Sequence, residues 1–160
     1  MEVGARRAAG PDAAEVAALV ASARRAVQGE RGADQWDATV APDAPDAAGL
    51  EVAAAGGDRG AVWLLGCIDE VPVGVAAAWL ERWRDGRAVL RTDLVWVEPG
   101  AREVGVGEAL VDELLLQARG LGATALEAVA LPGQRELKNL FERFGLVARA
   151  IVVHKAVTDG

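Results

Sequence analysis

Residues 61–97 constrain the fold more than any other part of the chain. They hold three apolar runs, "AVWLLGCID" (61–69), "VPVGVAAAWLERW" (71–83) and "AVLRTDLVWV" (88–97). Short runs this rich in β-branched and aromatic residues read as strands. Asp69-Glu70 leaves room only for a tight connection between the first two. "RDGR" (84–87) supplies an Asp-Gly hairpin turn between the second and third. Strands joined by such short turns lie antiparallel. A three-strand antiparallel meander is therefore predicted.

Helical patterns flank it. "VGARR" (3–7) reads as a short first strand, and Pro11 and Asp12 open a helix. Val16, Leu19, Val20, Ala23 and Val27 lie on one face of it. A short second helix is expected around Trp36. Residues 41–60 carry little periodicity and read as a loop with a helical turn, ending in a glycine-rich link. A helix then runs to about Gly120, with Val106, Leu110, Leu114 and Ala118 on one stripe. A strand (123–131), a helix (134–144) ended by Gly145, and a last strand (146–155) complete the chain. The order β-α-α-β-β-β-α-β-α-β predicts one α/β (α+β) domain, residues 1–160, with a mixed sheet.

Composition removes several function classes. Cys67 is the only cysteine and His154 the only histidine, so an internal disulfide and a cysteine-rich metal site are excluded. No metal is expected. The net charge of −7 argues against nucleic acid, whose binders usually present a basic surface. It suits a small cationic amine or a lysine side chain as partner. No apolar run reaches a membrane span, and the N-terminus lacks the apolar block of a signal peptide. A cytoplasmic protein is expected. Tyrosine is absent, while alanine, glycine, valine and arginine abound. GC-rich coding is the simplest cause, so a missing residue type carries little weight by itself.

The stretch "AREVGVGEAL" (101–110) is the strongest functional signal. The first turn of a helix leaves backbone N–H groups unpaired at the positive end of its dipole. Gly105 and Gly107 let an anion approach that backbone, and Arg102 adds a fixed charge. Glu108-Ala109 stands where a Walker A loop needs Lys-Ser/Thr. Leu110 stands where a dinucleotide fingerprint needs a third glycine or alanine. A plain helix start that binds nothing is the remaining reading of the turn alone.

In its context the turn resembles a known family. "LVWVEPGAREVGVGEALVDELLLQA" is similar to the acyl-CoA-binding motif of the GNAT N-acyltransferases, Arg/Gln-x-x-Gly-x-Gly/Ala, matched by Arg102, Gly105 and Gly107. "LPGQRELKNLFERFGLVARAIVV" resembles the family's second signature, a strand end and a short helix finishing in Gly-Phe or Gly-Leu. The resemblance covers most of the chain and is weakest at 41–60. It implies a GNAT-like, mostly antiparallel sheet with helices on both faces and two splayed parallel central strands, here 88–97 and 123–131. Acetyl-CoA would lie between them as cosubstrate. Backbone groups of Val95 and Val97 would hold the pantetheine arm. Arg102, Glu103, Val104, Gly105, Val106, Gly107, Glu108 and Ala109 would hold the pyrophosphate.

The second signature departs from the family pattern. Gln134 stands where asparagine is common, and Phe141 where a tyrosine often protonates the leaving thiolate. Asn139 is a further cofactor contact or a solvated residue. The resemblance implies acetyl transfer to the amine of a small molecule or protein; the missing tyrosine leaves a non-catalytic acyl-CoA-binding or sensing module as the alternative. A carboxylate would take the amine's proton, and Glu127 and Asp93 are the candidates. Trp79, Trp83 and Trp96 are candidates for an acceptor pocket, a homodimer interface or plain core.

Overall fold

A computed structural model describes residues 1–56 and 60–158. Five strands, β1 (Val3–Arg7), β2 (Val62–Ile68), β3 (Val71–Arg82), β4 (Ala88–Val97) and β5 (Ala125–Ala128), form one sheet in that spatial order. The first four pair antiparallel and β4 pairs β5 in parallel. The predicted meander is present. Asp69 and Glu70, both at positive φ, make the tight turn from β2 to β3.

Helices cover both faces. On one face lie α1 (Ala13–Val27), α2 (Ala33–Thr39) and α3 (Ala47–Ala54). Their buried residues, among them Val16, Leu19, Trp36 and Leu50, pack on Trp63, Leu65, Val75, Ala77 and Leu94. On the other lie α4 (Val106–Gly120) and α5 (Arg135–Arg143). There Val106, Leu110, Leu114, Leu140 and Phe141 pack on Val62, Leu64, Ala76, Leu90 and Val95. The alternation of side chains along a strand divides the sheet residues between the two layers.

Gly66 and Gly74 sit where α4 begins. A Cβ on Gly66 would stand 2.6 Å from Val106 Cγ1, and one on Gly74 would stand 3.1 Å from it. The glycines pair across β2 and β3, and the smooth patch seats the first turn of α4 on the sheet.

Three expectations need correction. Residues 41–60 hold a full helix, α3, with the Asp46 side chain accepting from Gly49 N–H at 2.8 Å. The alanine-rich sequence hides the apolar stripe, because Ala53 serves as a core residue beside Leu50. The link at its end, 57–59, lies outside the described residues. The strand expected at 123–131 pairs only over Ala125–Ala128. The last strand, 146–155, does not form among the described residues: the segment has no regular secondary structure and, after Leu146, is exposed. An apolar alternating sequence becomes a strand only where an edge receives it. Among the described residues β5 is the last strand of the sheet, next to β4.

Candidate active site

The site begins where β4 and β5 part. Their parallel register runs from Val89↔Ala125 to Thr92↔Ala128, and the last rung is Val129 N–H to the Thr92 carbonyl at 3.3 Å. Beyond it Asp93–Val97 have no strand partner on that side among the described residues. The predicted splay is therefore a gap about five residues deep in β4.

A bulge decides what faces the gap. The β3–β4 register passes from Ala77↔Leu94 to Ala78↔Thr92, so Asp93 is skipped. Before the bulge the even residues Ala88 and Thr92 offer their carbonyls to the β5 side. After it, Glu98 N–H donates to Val73 of β3 at 2.8 Å. By alternation Trp96 and Leu94 also face β3. Val95 and Val97 are left with backbone groups turned to the gap. One extra residue thus exchanges which half of the strand is free.

The turn into α4 stands at the mouth of this gap. Glu103 and Gly105 are left-handed, at φ 67° and 98°. Among the described residues, no backbone N–H from Glu103 to Glu108 donates to a protein acceptor; the first that does is Ala109, to Gly105 at 3.0 Å. Ala109 therefore lies just past the cradle. Successive free N–H groups in such a turn form an anion-binding nest. The two glycines have different causes. Gly105 serves backbone conformation, with only Val3 at 4.0 Å from a notional Cβ. Gly107 serves packing: its Cβ would stand 2.9 Å from Leu140 Cδ2 of α5. Glu108 is neutralised by Arg143 at 2.7 Å.

Arg102 bridges the mouth. Its Nε donates to the Val97 carbonyl at 2.9 Å, its guanidinium lies 4.6 Å from the Trp96 ring centroid, and Glu136 of α5 is 3.8 Å away. Gln134 accepts from Leu131 N–H at 2.8 Å, so its side-chain oxygen braces the turn before α5. Phe141 is buried in the α4 layer, and Asn139 points to solvent.

On the opposite face the gap opens into a narrow cleft with about 20 Å³ of free space. Trp36, Leu94, Trp96, Leu131 and Leu137 line it, with Asp93 and Gln134 as its polar members. The Asp93 side chain is 1% exposed and paired with Arg91 at 3.1 Å. Burial pushes its carboxyl above the ordinary aspartate range, and the Arg91 hydrogen bonds pull the other way. Arg91 also pairs with Glu81. Glu127 stands opposite Arg91 on β5, half-buried, with no hydrogen bond among the described residues.

Trp36 was not among the candidate residues read from sequence. Its indole N–H donates to the Asp93 carbonyl at 2.9 Å, and only the short helix around it was legible. Of the three candidate tryptophans, Trp96 lines the cleft. Trp79 packs edge-on against Trp63, and Trp83 stacks with Arg87 at the hairpin. Cys67 is a buried core residue. No group of three or more His, Cys, Asp or Glu is gathered to hold a metal, and no helix is long and apolar enough to cross a membrane, among the described residues.

A sheet that opens between two parallel strands, with a nest at its mouth and a cleft behind it, defines an acyl-transfer fold. The sequence model of the Acetyltransferase (GNAT) family matches residues 31–146, and the chain belongs to this family of N-acetyltransferase enzymes. Solved structures share the fold. A ribosomal-protein-alanine N-acetyltransferase from Brucella melitensis biovar Abortus is 22% identical, with TM-score 0.67 over 99% of this chain and 100% of that one. An aminoglycoside acetyltransferase from an uncultured soil metagenomic sample is 16% identical, with TM-score 0.72 over 99% and 100%. An acetyltransferase from Trypanosoma brucei is 20% identical, with TM-score 0.64 over 98% and 100%. No curated protein matches the sequence.

Proposed function

We propose that this chain is a single-domain, cytoplasmic enzyme that moves an acetyl group from acetyl-CoA directly to an amine. The observation that carries the reading is the row of unpaired N–H groups from Glu103 to Glu108 at the mouth of the β4–β5 gap. This nest fits a pyrophosphate. Arg102 would add charge by leaving Val97 and Glu136 for the phosphates. The backbone of Val95 and Val97 would take the pantetheine arm. Acetyl-CoA supplies an activated acyl group on a thiol that leaves readily.

The chain's own groups would do the rest. The free N–H of Val95 would meet the charge that builds on the carbonyl oxygen, and a fixed dipole there needs no reorganisation. The acceptor enters from the cleft lined by Trp36 and Trp96. The amine must be neutral to attack, so its proton passes to a carboxylate, directly or through water. Glu127, half-exposed and unpaired, and Asp93, with its raised affinity for protons, flank the place where the strands part. Attack forms the N–C bond, the C–S bond breaks, and the thiolate takes a proton from water, since Phe141 has none to give. The cleft's apolar lining favours an amine attached to an apolar body over a highly charged polyamine. A homodimer belongs to the same reading.

The test is calorimetry with CoA and acetyl-CoA, followed by a thiol-release assay over a panel of amines. Heat on binding and amine-dependent thiol release are expected. Absence of heat would remove the cradle; binding with no release for any amine would favour a non-catalytic acyl-CoA sensor.

A further inference from the structure

Among the described residues two polar side chains lie in the core, Thr92 and Asp93, and they differ in one respect. Asp93 is paired with Arg91. Thr92 is 1% exposed, and its hydroxyl has no hydrogen-bond partner. A buried hydroxyl left unpaired costs stability, so it marks a place where a ligand or a water completes the bond.

The place is the closed end of the gap. Thr92 is the last residue of β4 in register with β5, and its carbonyl accepts the final rung from Val129 N–H. Its neighbours across the two strands are Ala78 and Ala128. Both pack in the α4–α5 layer, so the Thr92 side chain turns to that layer as well. Two methyl-sized neighbours leave room beside the hydroxyl. The bulge makes Thr92 and Val95 consecutive on this face, since they pair with Ala78 and Ala76. The charged residues of this level belong to the other face. Asp93 lines the cleft, Arg91 pairs with it, and Glu127 stands opposite Arg91. Leu90, Thr92 and Val95 follow one another on the α4 side, and the hydroxyl is the polar group among them.

We propose, on the reading that the gap takes acetyl-CoA, that the Thr92 hydroxyl donates a hydrogen bond to the sulfur as it leaves. The direction of attack favours the sulfur. The cleft lined by Trp36 and Trp96 opens on the α1 side, so an amine arriving through it leaves the α4–α5 side for the departing thiolate. Phe141, where the resemblance expects a proton donor, is buried in that same layer. With Val95 N–H on the carbonyl oxygen, Thr92 is the next residue inward on the same face. Threonine keeps its own proton. The N–C bond forms, the C–S bond breaks with its electron pair going to sulfur, and water later supplies the thiol proton. A hydrogen bond to an ion is about twice as strong as one to a neutral atom. The contact therefore strengthens as charge builds on sulfur, which lowers the barrier.

Thr92→Val removes the hydroxyl and keeps the side-chain shape, while Thr92→Ser keeps the hydroxyl. Ultraviolet absorbance of the thiolate, titrated against pH, reads the thiol of bound CoA. It should ionise at a pH about one unit higher in Thr92→Val than in wild type, with Thr92→Ser close to wild type. Single-turnover thiol release should slow about tenfold in Thr92→Val, with acetyl-CoA affinity by calorimetry nearly unchanged. The urea midpoint of unliganded Thr92→Val should equal or exceed that of wild type, because an apolar isostere replaces an unpaired hydroxyl. A lower midpoint would show that the hydroxyl is already paired inside the protein, and overturns the proposal. CoA bound with the same thiol ionisation in Thr92→Val and wild type overturns it while the cofactor reading stands. A wild type that binds no CoA overturns both.

Discussion

Trp36 donates its indole N–H to the main-chain carbonyl of Asp93, 2.9 Å away. Asp93 is the residue that the β3–β4 register skips. The bond satisfies a carbonyl that the bulge removes from the ladder, and it ties α2 to the point where the sheet opens. Trp36→Phe keeps an aromatic ring and leaves that buried carbonyl unpaired. A stability loss of about 1–3 kcal/mol is expected, read by urea unfolding. The acceptor's KM should rise more than that of acetyl-CoA; equal rises would place Trp36 outside the acceptor cleft.

Asp93 gives opposite pH signs for activity and stability. Burial raises its affinity for a proton above the ordinary value of 3.8. As a base it works only when ionised, so kcat/KM should climb with pH through a value above 3.8. For stability, the folded carboxyl keeps its proton to higher pH than the unfolded one. Its contribution therefore falls as pH rises from below 3.8 through the folded value. Asp93→Asn should lower kcat/KM by about 10²–10⁴. The difference between wild-type and variant unfolding free energies, measured against pH, should show the fall. A flat difference would contradict the burial effect.

Gly105 and Gly107 should fail for different reasons. Gly105→Ala forces a side chain into the left-handed region, at about 1–2 kcal/mol. Gly107→Ala drives a methyl against Leu140. Leu140→Ala should therefore relieve much of the Gly107→Ala loss and none of the Gly105→Ala loss. A double-mutant cycle in denaturant measures this coupling. Coupling of neither residue to Leu140 would refute the packing explanation.

Phe141 stands where a proton donor was expected from the resemblance. Phe141→Tyr should raise kcat about tenfold, short of the roughly 10²–10⁴ of a fully positioned acid, because the ring already sits in the α4 layer. Pre-steady-state thiol release is the measurement. A lower melting temperature with unchanged kcat would show that the hydroxyl is merely buried.

Local chemistry made much of the molecule legible. β1 and β4 have the predicted bounds, and β2 and β3 differ from them by a residue at each end or less, because alternation and turn residues act over a few positions. The glycine turn and the α4 stripe were readable for the same reason, though the left-handed φ of Gly105 was not. α3 was not, since alanine serves equally in a core, on a surface or in a loop. The single asparagine, Asn139, could be named as a candidate but not aimed; only the helix phase turned it to solvent while Phe141 went inward.

By itself the sequence determined the meander and the glycine turn into α4, both consequences of short-range backbone preference. Tertiary structure decided the rest. The bulge at Asp93 depends on how two strands slide against each other, and it chooses which carbonyls face the gap. Trp36 reaches Asp93 from 57 residues away. A strand, finally, needs a neighbour: residues 146–155 read locally as one and are unpaired among the described residues, because hydrogen bonds across a sheet are made by two segments and written in neither alone.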